Sequence, residues 1–346
     1  KSPPPAGADS RHRTRHPPAA ASDMKLDPKP LALLAAIALL ALPLTGSPST
    51  WLNLTLAGLA MGLIVFVIAS GLTLVFGLMD VLNFGHGVFI ALGAFMATTV
   101  LAALAPWASS PDVLPNLAAL AAACLAGMAI AAAVGVVFER VLVRPVYGQH
   151  LKQILITMGG MIIGEELIKA SWGPALIPLP LPPSLTGIFL IGDVAVEKFR
   201  VLAMLIGLAV LVALLLVLNR TKIGLLIRAG VQDREMVEAL GYRVRRLFVG
   251  VFVAGSALAG LGGVLWGLVQ QGVTPQIGAQ VNLLLFIVII IGGLGSTLGC
   301  LVGALLVGLV ANYVGFLAPK AALFSNIGLM VAVLLWRPQG LYPVAK

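Results

Sequence analysis

Charge is what this sequence has least of. Only 10% of its 346 residues are Asp, Glu, Lys or Arg, against 60% that are apolar, and its mean hydropathy is +1.05. A soluble domain carries about 25% charged residues and about half apolar ones. So few charges cannot cover a water-facing globule, which excludes an ordinary soluble protein. Cysteine is scarce too. Cys124 and Cys300 each lie inside an apolar run without metal-ligand spacing, and both read as small packing residues. Of the four histidines, His12, His16 and His150 fall in segments predicted to be cytoplasmic, so the sequence suggests no metal site. It has no Gly-x-x-x-x-Gly-Lys-[Ser/Thr] loop to cradle nucleotide phosphates. It also lacks a His-Glu-x-x-His zinc pair and a Gly-x-Ser-x-Gly nucleophile elbow. The expectation is a non-enzyme with no cofactor of its own.

What is abundant is long apolar sequence. A membrane helix needs about 20 mostly apolar residues. Runs at 31–44, 52–78, 84–105, 117–138, 151–171, 201–219, 247–269, 282–295, 299–317 and 322–336 predict nine or ten such helices. Stretches such as Leu283 to Ile291 lack the two-residue alternation of a membrane barrel strand. The fold class expected is therefore an all-α polytopic membrane protein. Of its 22 Lys and Arg residues, 18 fall in 1–30, 139–152, 220–246 and 337–346. With ten spans these segments share one side, and the positive-inside rule makes that side the cytoplasm, together with both termini. The net charge of +9 is then a topology signal and not a nucleic-acid surface. Residues 1–30, rich in Pro, Ala, Arg and His, predict a disordered cytoplasmic tail ahead of a membrane domain at 31–346. Within the tail, Met24 reads as a translation start. The run 31–44 resembles a signal-peptide core, but no small-x-small site follows it, which favours an uncleaved first helix.

Lipid gives no hydrophobic drive for helix association, so small residues must let backbones approach. Gly255, Ala259, Gly263 and Gly267 recur every four residues, as do Gly295, Gly299 and Gly303, and both sets predict tight helix packing. Two breaks interrupt the apolar pattern: Asn83-Phe84-Gly85-His86-Gly87 and Gly292-Gly293-Leu294-Gly295-Ser296. Each is either a tight turn or part of a transport path between related halves. Ionisable residues in or near spans are functional suspects. They are Asp80, His86, Glu139, Glu165, Glu166 and Lys169. Glu165 and Lys169 have the spacing of a helix ion pair, and Glu139 sits at a span end where its charge is expected to reach water. No series of carboxylates crosses the membrane, which counts against a proton-driven carrier.

The segment 220–246 is the longest charged stretch between spans. Its Val231–Leu240 portion has no Gly or Pro, and Gly241 is placed to stop a helix. On that helix Asp233, Val237 and Leu240 are expected to share a surface of mixed character.

Several segments resemble the permease subunits of branched-chain amino-acid ABC importers, of the LivH/LivM type. They are GLTLVFGLMDVLNFGHG at 71–87, ERVLVRP at 139–145, TKIGLLIRAGVQDREMVEALG at 221–241, GGLGSTLG at 292–299 and RPQGL at 337–341. The resemblance runs from about residue 50 to 343 and is closer to the LivH branch. It implies a multi-pass protein of a bacterial inner membrane and an importer with two permease subunits, two cytoplasmic ATPases and an extracytoplasmic binding protein. It also assigns 220–246 to docking on the ATPase, with Arg228, Asp233, Glu238 and Gly241 as coupling residues, and leaves Asn83 and His86 as pathway residues. Branched-chain amino acids are the substrate it implies. Urea or short-chain amides are the alternative within the family, and a stand-alone secondary carrier is the alternative outside it.

Overall fold

A computed structural model describes residues 27–232 and 234–343. The tail up to residue 26, Met24 included, lies outside the described residues, as do Asp233 and the side chain of Arg228. Thirteen helices follow one another along the described chain. They are α1 (Pro28–Ala41), α2 (Pro48–Met79), α3 (His86–Ala103), α4 (Ala105–Ala108), α5 (Val113–Phe138), α6 (His150–Trp172) and α7 (Lys198–Arg220). Then come α8 (Lys222–Gln232), α9 (Arg234–Ala239), α10 (Val244–Gln270), α11 (Ile277–Gly292), α12 (Thr297–Leu317) and α13 (Ala322–Trp336). A π-helical turn at Glu139–Val143 and a 3-10 turn at Arg144–Val146 extend α5.

Each of the ten predicted spans corresponds to a helix. Six are long and apolar enough to cross a membrane: α2, α3, α5 with its extension, α7, α10 and α12. Helices α1, α11 and α13 are apolar but shorter. Helix α6 has 23 residues, yet it carries Lys152, Glu165, Glu166 and Lys169. Lys169 Nζ pairs with Glu165 at 2.9 Å, at the expected spacing, and with Glu166 at 2.8 Å.

The core is built around α2 and α10. Val65 to Ala69 of α2 are almost wholly buried, and α10 passes α2, α3 and α5 at backbone distance. A Cβ on Gly255 would sit 2.7 Å from the Gly71 carbonyl oxygen of α2. One on Gly263 would strike the carbonyl of Ile90 in α3, and one on Gly260 would lie 2.5 Å from Gly127 O in α5. Ala259 is fully buried, and Gly267 faces Val273, Leu179 and Ala94. The four-residue ladder therefore passes from one neighbour to the next as the helices cross. Gly299 and Gly303 bring α12 against α11 at Gly292 and Val288 in the same way.

Contacts between distant segments define two ends of the bundle. At one end Asp80 lies 3.8 Å from His150, Gly77 abuts Gly295, and Gly293 abuts Tyr342. Asp27 meets Arg337 at 2.6 Å there, so both ends of the described chain share this face. At the other end Ser184 donates to Asn116 Oδ1, and β1 (Ile177–Pro178) pairs with a two-residue strand at Gly272–Val273. The hairpin of Ile188–Ile191 with Val194–Glu197 is tied there to α2 through Ala195 N and Asn53 Oδ1.

Candidate functional site

The first break in the helices is buried. Helix α2 stops at Asp80, whose backbone is left-handed at φ 51°. The chain then runs back into the bundle, where Val81, Asn83 and His86 have no exposed surface. His86 opens α3 with Nε2 at 3.3 Å from the carbonyl of Ile68, a residue well inside α2. The carbonyl that its ring reaches lies about 16 Å from the end of α2 at about 1.5 Å per residue, close to half of a hydrocarbon core about 30 Å thick. The non-helical residues before it need polar partners within the protein. Phe84 N donates to Thr157 Oγ1 of α6 at 3.1 Å, and the Phe84 carbonyl accepts from Asn282 Nδ2 of α11 at 2.8 Å. Gly85 N donates to Asn83 Oδ1 at 3.0 Å, a local turn made by Asn83 itself. The Phe84 ring stacks on Phe286 at 4.4 Å.

Three side-chain atoms at this break have no hydrogen-bond partner: Asn83 Nδ2, His86 Nδ1 and Asn282 Oδ1. Asn83 and His86 are thus brought together with Thr157 and Asn282, and both are sealed inside the chain. A lone Asn in the apolar run of α11 was the one signal in the sequence for Asn282, whereas nothing marked Thr157.

The second break is different in kind. Gly293 and Gly295, at φ 102° and 82°, form a turn between α11 and α12, closed by Ser296 N on Gly293 O and Gly299 N on Ser296 Oγ. The C-terminal RPQGL segment covers it: Leu341 N and Tyr342 N donate to Ile291 O and Gly292 O, each at 2.9 Å. Arg337 bridges Leu341 O and the Asp27 carboxylate, while Tyr342 donates its hydroxyl to the Asp27 carbonyl at 2.6 Å. The Arg337 guanidinium holds the Asp27 carboxyl below its usual range, and burial raises the Tyr342 hydroxyl. Two of the recognised motifs therefore pack on each other as a clasp.

Glu139 departs from expectation. Its side chain is fully buried, accepting from the Tyr147 hydroxyl at 2.6 Å, because the π-helical turn swings it inward instead of toward water.

The charged segment folds as α8 and α9, with α9 ending before Gly241. Tyr242 N donates to Val237 O at 3.3 Å and Gly241 N to Glu238 O at 3.0 Å, the paired bonds of a Schellman cap. Gly241 supplies its left-handed residue at φ 88°. Val237 does not join the expected surface: it is 4% exposed, packed inward as α9 folds against α8 and α10. Met236 and Leu240 are 62% and 69% exposed in its place, beside the exposed Glu238.

A family model described as branched-chain amino acid transport system / permease component matches residues 54–335. The chain is 30% identical over 299 residues to the high-affinity branched-chain amino acid transport system permease protein BraD of Pseudomonas aeruginosa, covering 82% of this chain and 93% of that one. It is 27% identical over 291 residues to LivH of Escherichia coli K12, covering 82% and 92%. LivM of the same organism is 26% identical over 297 residues, covering 82% of this chain and 69% of that one. The match begins within α2, takes in the buried break, and ends within α13, and the chain belongs to the branched-chain amino acid transport system permease family.

Proposed function

We propose that this chain is a permease subunit of an ABC importer for branched-chain amino acids in a bacterial inner membrane. The observation that carries the reading is the family match over residues 54–335, joined to the similarity to BraD and LivH along nearly their whole lengths. A second permease subunit completes the pathway. The similarity to both LivH and LivM, two permease proteins of one organism, supports a pair of related chains. Two separate ATPases supply the energy by docking on 220–246, where α9 presents Met236, Glu238 and Leu240. An extracytoplasmic binding protein delivers solute to the opposite end. Arg228 and Asp233 belong to the same docking segment. Asn83 and His86 act at the pathway by fixing the break between α2 and α3. Glu139 is the one fully buried carboxylate among the described residues and sits at the basic end, which supports ATP coupling over a proton relay.

The test is leucine uptake into vesicles containing the chain with its partner permease, ATPases and binding protein. Uptake that requires ATP and all partners is expected. Leucine flux through the chain without any ATPase would overturn the reading, and flux restricted to urea or amides would reassign the substrate.

A further inference from the structure

A groove of about 690 Å³ opens on the flank of the bundle between α2, α7, α8 and α10. Its wall is almost wholly apolar, including Leu74 and Leu78 of α2, Val217 and Leu218 of α7, and Leu258 and Leu261 of α10. The one charged residue lining it is Arg246, at the end where α8 closes the groove with Ile223 and Ile227. Along α10 the apolar wall runs from Gly250 to Leu261, about 16 Å at about 1.5 Å per residue, the depth of one leaflet of a core about 30 Å thick. No carboxylate among the described residues pairs with Arg246. Arg220 and Lys222, both exposed, stand in the chain between the lining residues Leu218 and Ile223, and exposed Arg243 precedes Arg246 by three residues. One opening is therefore cationic and the whole depth behind it is hydrocarbon.

We infer that this groove binds an anionic phospholipid of the leaflet on the basic side, its acyl chain against α2, α7 and α10 and its phosphate at Arg246. The charge complementarity decides the occupant. An amino-acid solute would leave its zwitterion against leucine and valine, and a packed helix of another subunit would bury Arg246 without an anion. A lipid phosphate meets the cation while its chain meets the wall, and cations at the membrane surface favour anionic lipids. The occupant would lie beneath α8, so its loss would reach the docking segment through Ile223 and Ile227.

The assembled importer, purified into nanodiscs of mixed phosphatidylglycerol and phosphatidylethanolamine, gives the test by native mass spectrometry after delipidation. Wild-type protein should retain phosphatidylglycerol several-fold over phosphatidylethanolamine. Arg246→Gln should abolish that preference, and Gly250→Phe, which fills the wall where a Cβ meets nothing within 4 Å, should lower retention of both lipids. Equal retention and preference in all three proteins would overturn the site. So would a photoreactive residue at Ala254 that crosslinks to a protein subunit and not to lipid. Both readouts are independent of transport, so they stand or fall apart from the substrate assigned above.

Discussion

Asn282 in α11 donates its side-chain amide to the carbonyl of Phe84, 198 residues earlier, at 2.8 Å. The bond joins the last turn before α3 to a helix that is otherwise apolar through Leu283–Ile291. It satisfies a backbone acceptor that helix geometry leaves open at membrane depth. Asn282→Leu keeps the bulk and removes the donor. An interhelical hydrogen bond in a membrane contributes about 0.6 kcal/mol, and an orphaned buried acceptor costs about 1–3 kcal/mol. The expected result is a lower thermal midpoint in detergent and reduced uptake, with insertion unchanged. A midpoint equal to wild type would show that the Asn282 bond adds nothing to the hold on the break.

The small-residue ladder gives the next expectation. Gly263→Ala places a methyl against the Ile90 carbonyl, whereas a Cβ on Gly315 of α12 meets nothing within 4 Å. Gly192, a loop glycine, is a poor comparator, because its φ of 63° strains any side chain. Gly263→Ala should lower folded yield after detergent extraction, and Gly315→Ala should not. Matching yields for the two would mean α10 and α3 separate without cost.

How much of this was legible beforehand follows from what each feature depends on. Ten apolar runs fixed ten helices, because a bilayer leaves the backbone little other choice. Gly241 was legible as a helix stop, since its conformation is set by its own lack of Cβ. The inward turn of Glu139 was not, because a π-helical bulge shifts register with no change in composition. Nor was the difference between the two glycine-bearing breaks. Both read as turns or pathway elements, and only Thr157, Asn282 and Tyr342, brought from far along the chain, decide which is buried and which is clasped.

The clasp carries a pH dependence. Asp27 has its carboxyl held below the ordinary 3.8, first by the side-chain bond from Arg337. A lowered carboxylate contributes stability fully above its unfolded value, and the contribution is lost as pH falls through the folded value. Hydrogen exchange at the Leu341 and Tyr342 amides is the readout. Wild-type protection should hold from neutral pH down to about 3.8, decline below that value, and be lost as pH falls through the lower folded-state value. Asp27→Asn should exchange faster at neutral pH and show no such transition. An acid transition shared by both proteins would assign it to another group.

Orientation is checked by labelling. Ser184 is tied to Asn116 through both its backbone N–H and its hydroxyl, which makes it a poor reporter. Asp193, exposed at the hairpin turn, is a better site, set against the exposed Glu238 of α9. In cells with an opened outer envelope, a membrane-impermeant thiol reagent should modify Asp193→Cys at once. It should reach Glu238→Cys only after the inner membrane is permeabilised. The reverse order would invert the topology drawn from the basic segments.

Energy coupling gives the last expectation, and its geometry is specific to α9. The Schellman cap at Gly241 fixes where α9 ends and so which residues it presents. Met236 and Leu240 stand 62% and 69% exposed, four residues apart on one face, with Val237 turned in to anchor the helix. An exposed apolar pair on an otherwise charged segment is the kind of surface that a groove in a partner would cover. Leu240→Glu changes that surface while leaving the cap intact. Gly241→Val leaves the surface chemistry but puts a β-branched residue at φ 88°, which costs at least the 1–2 kcal/mol or so of a left-handed non-glycine residue and should fray α9. Both variants should insert normally and keep the labelling pattern of Asp193→Cys. Both should lose most binding-protein-stimulated ATP hydrolysis and uptake, with basal hydrolysis by the ATPases retained. A loss in Leu240→Glu alone would place coupling in the side chain and not in the register of the helix. Normal stimulated hydrolysis in both would reduce 220–246 to an anchor for topology, leaving the ATPases to dock elsewhere on the basic face.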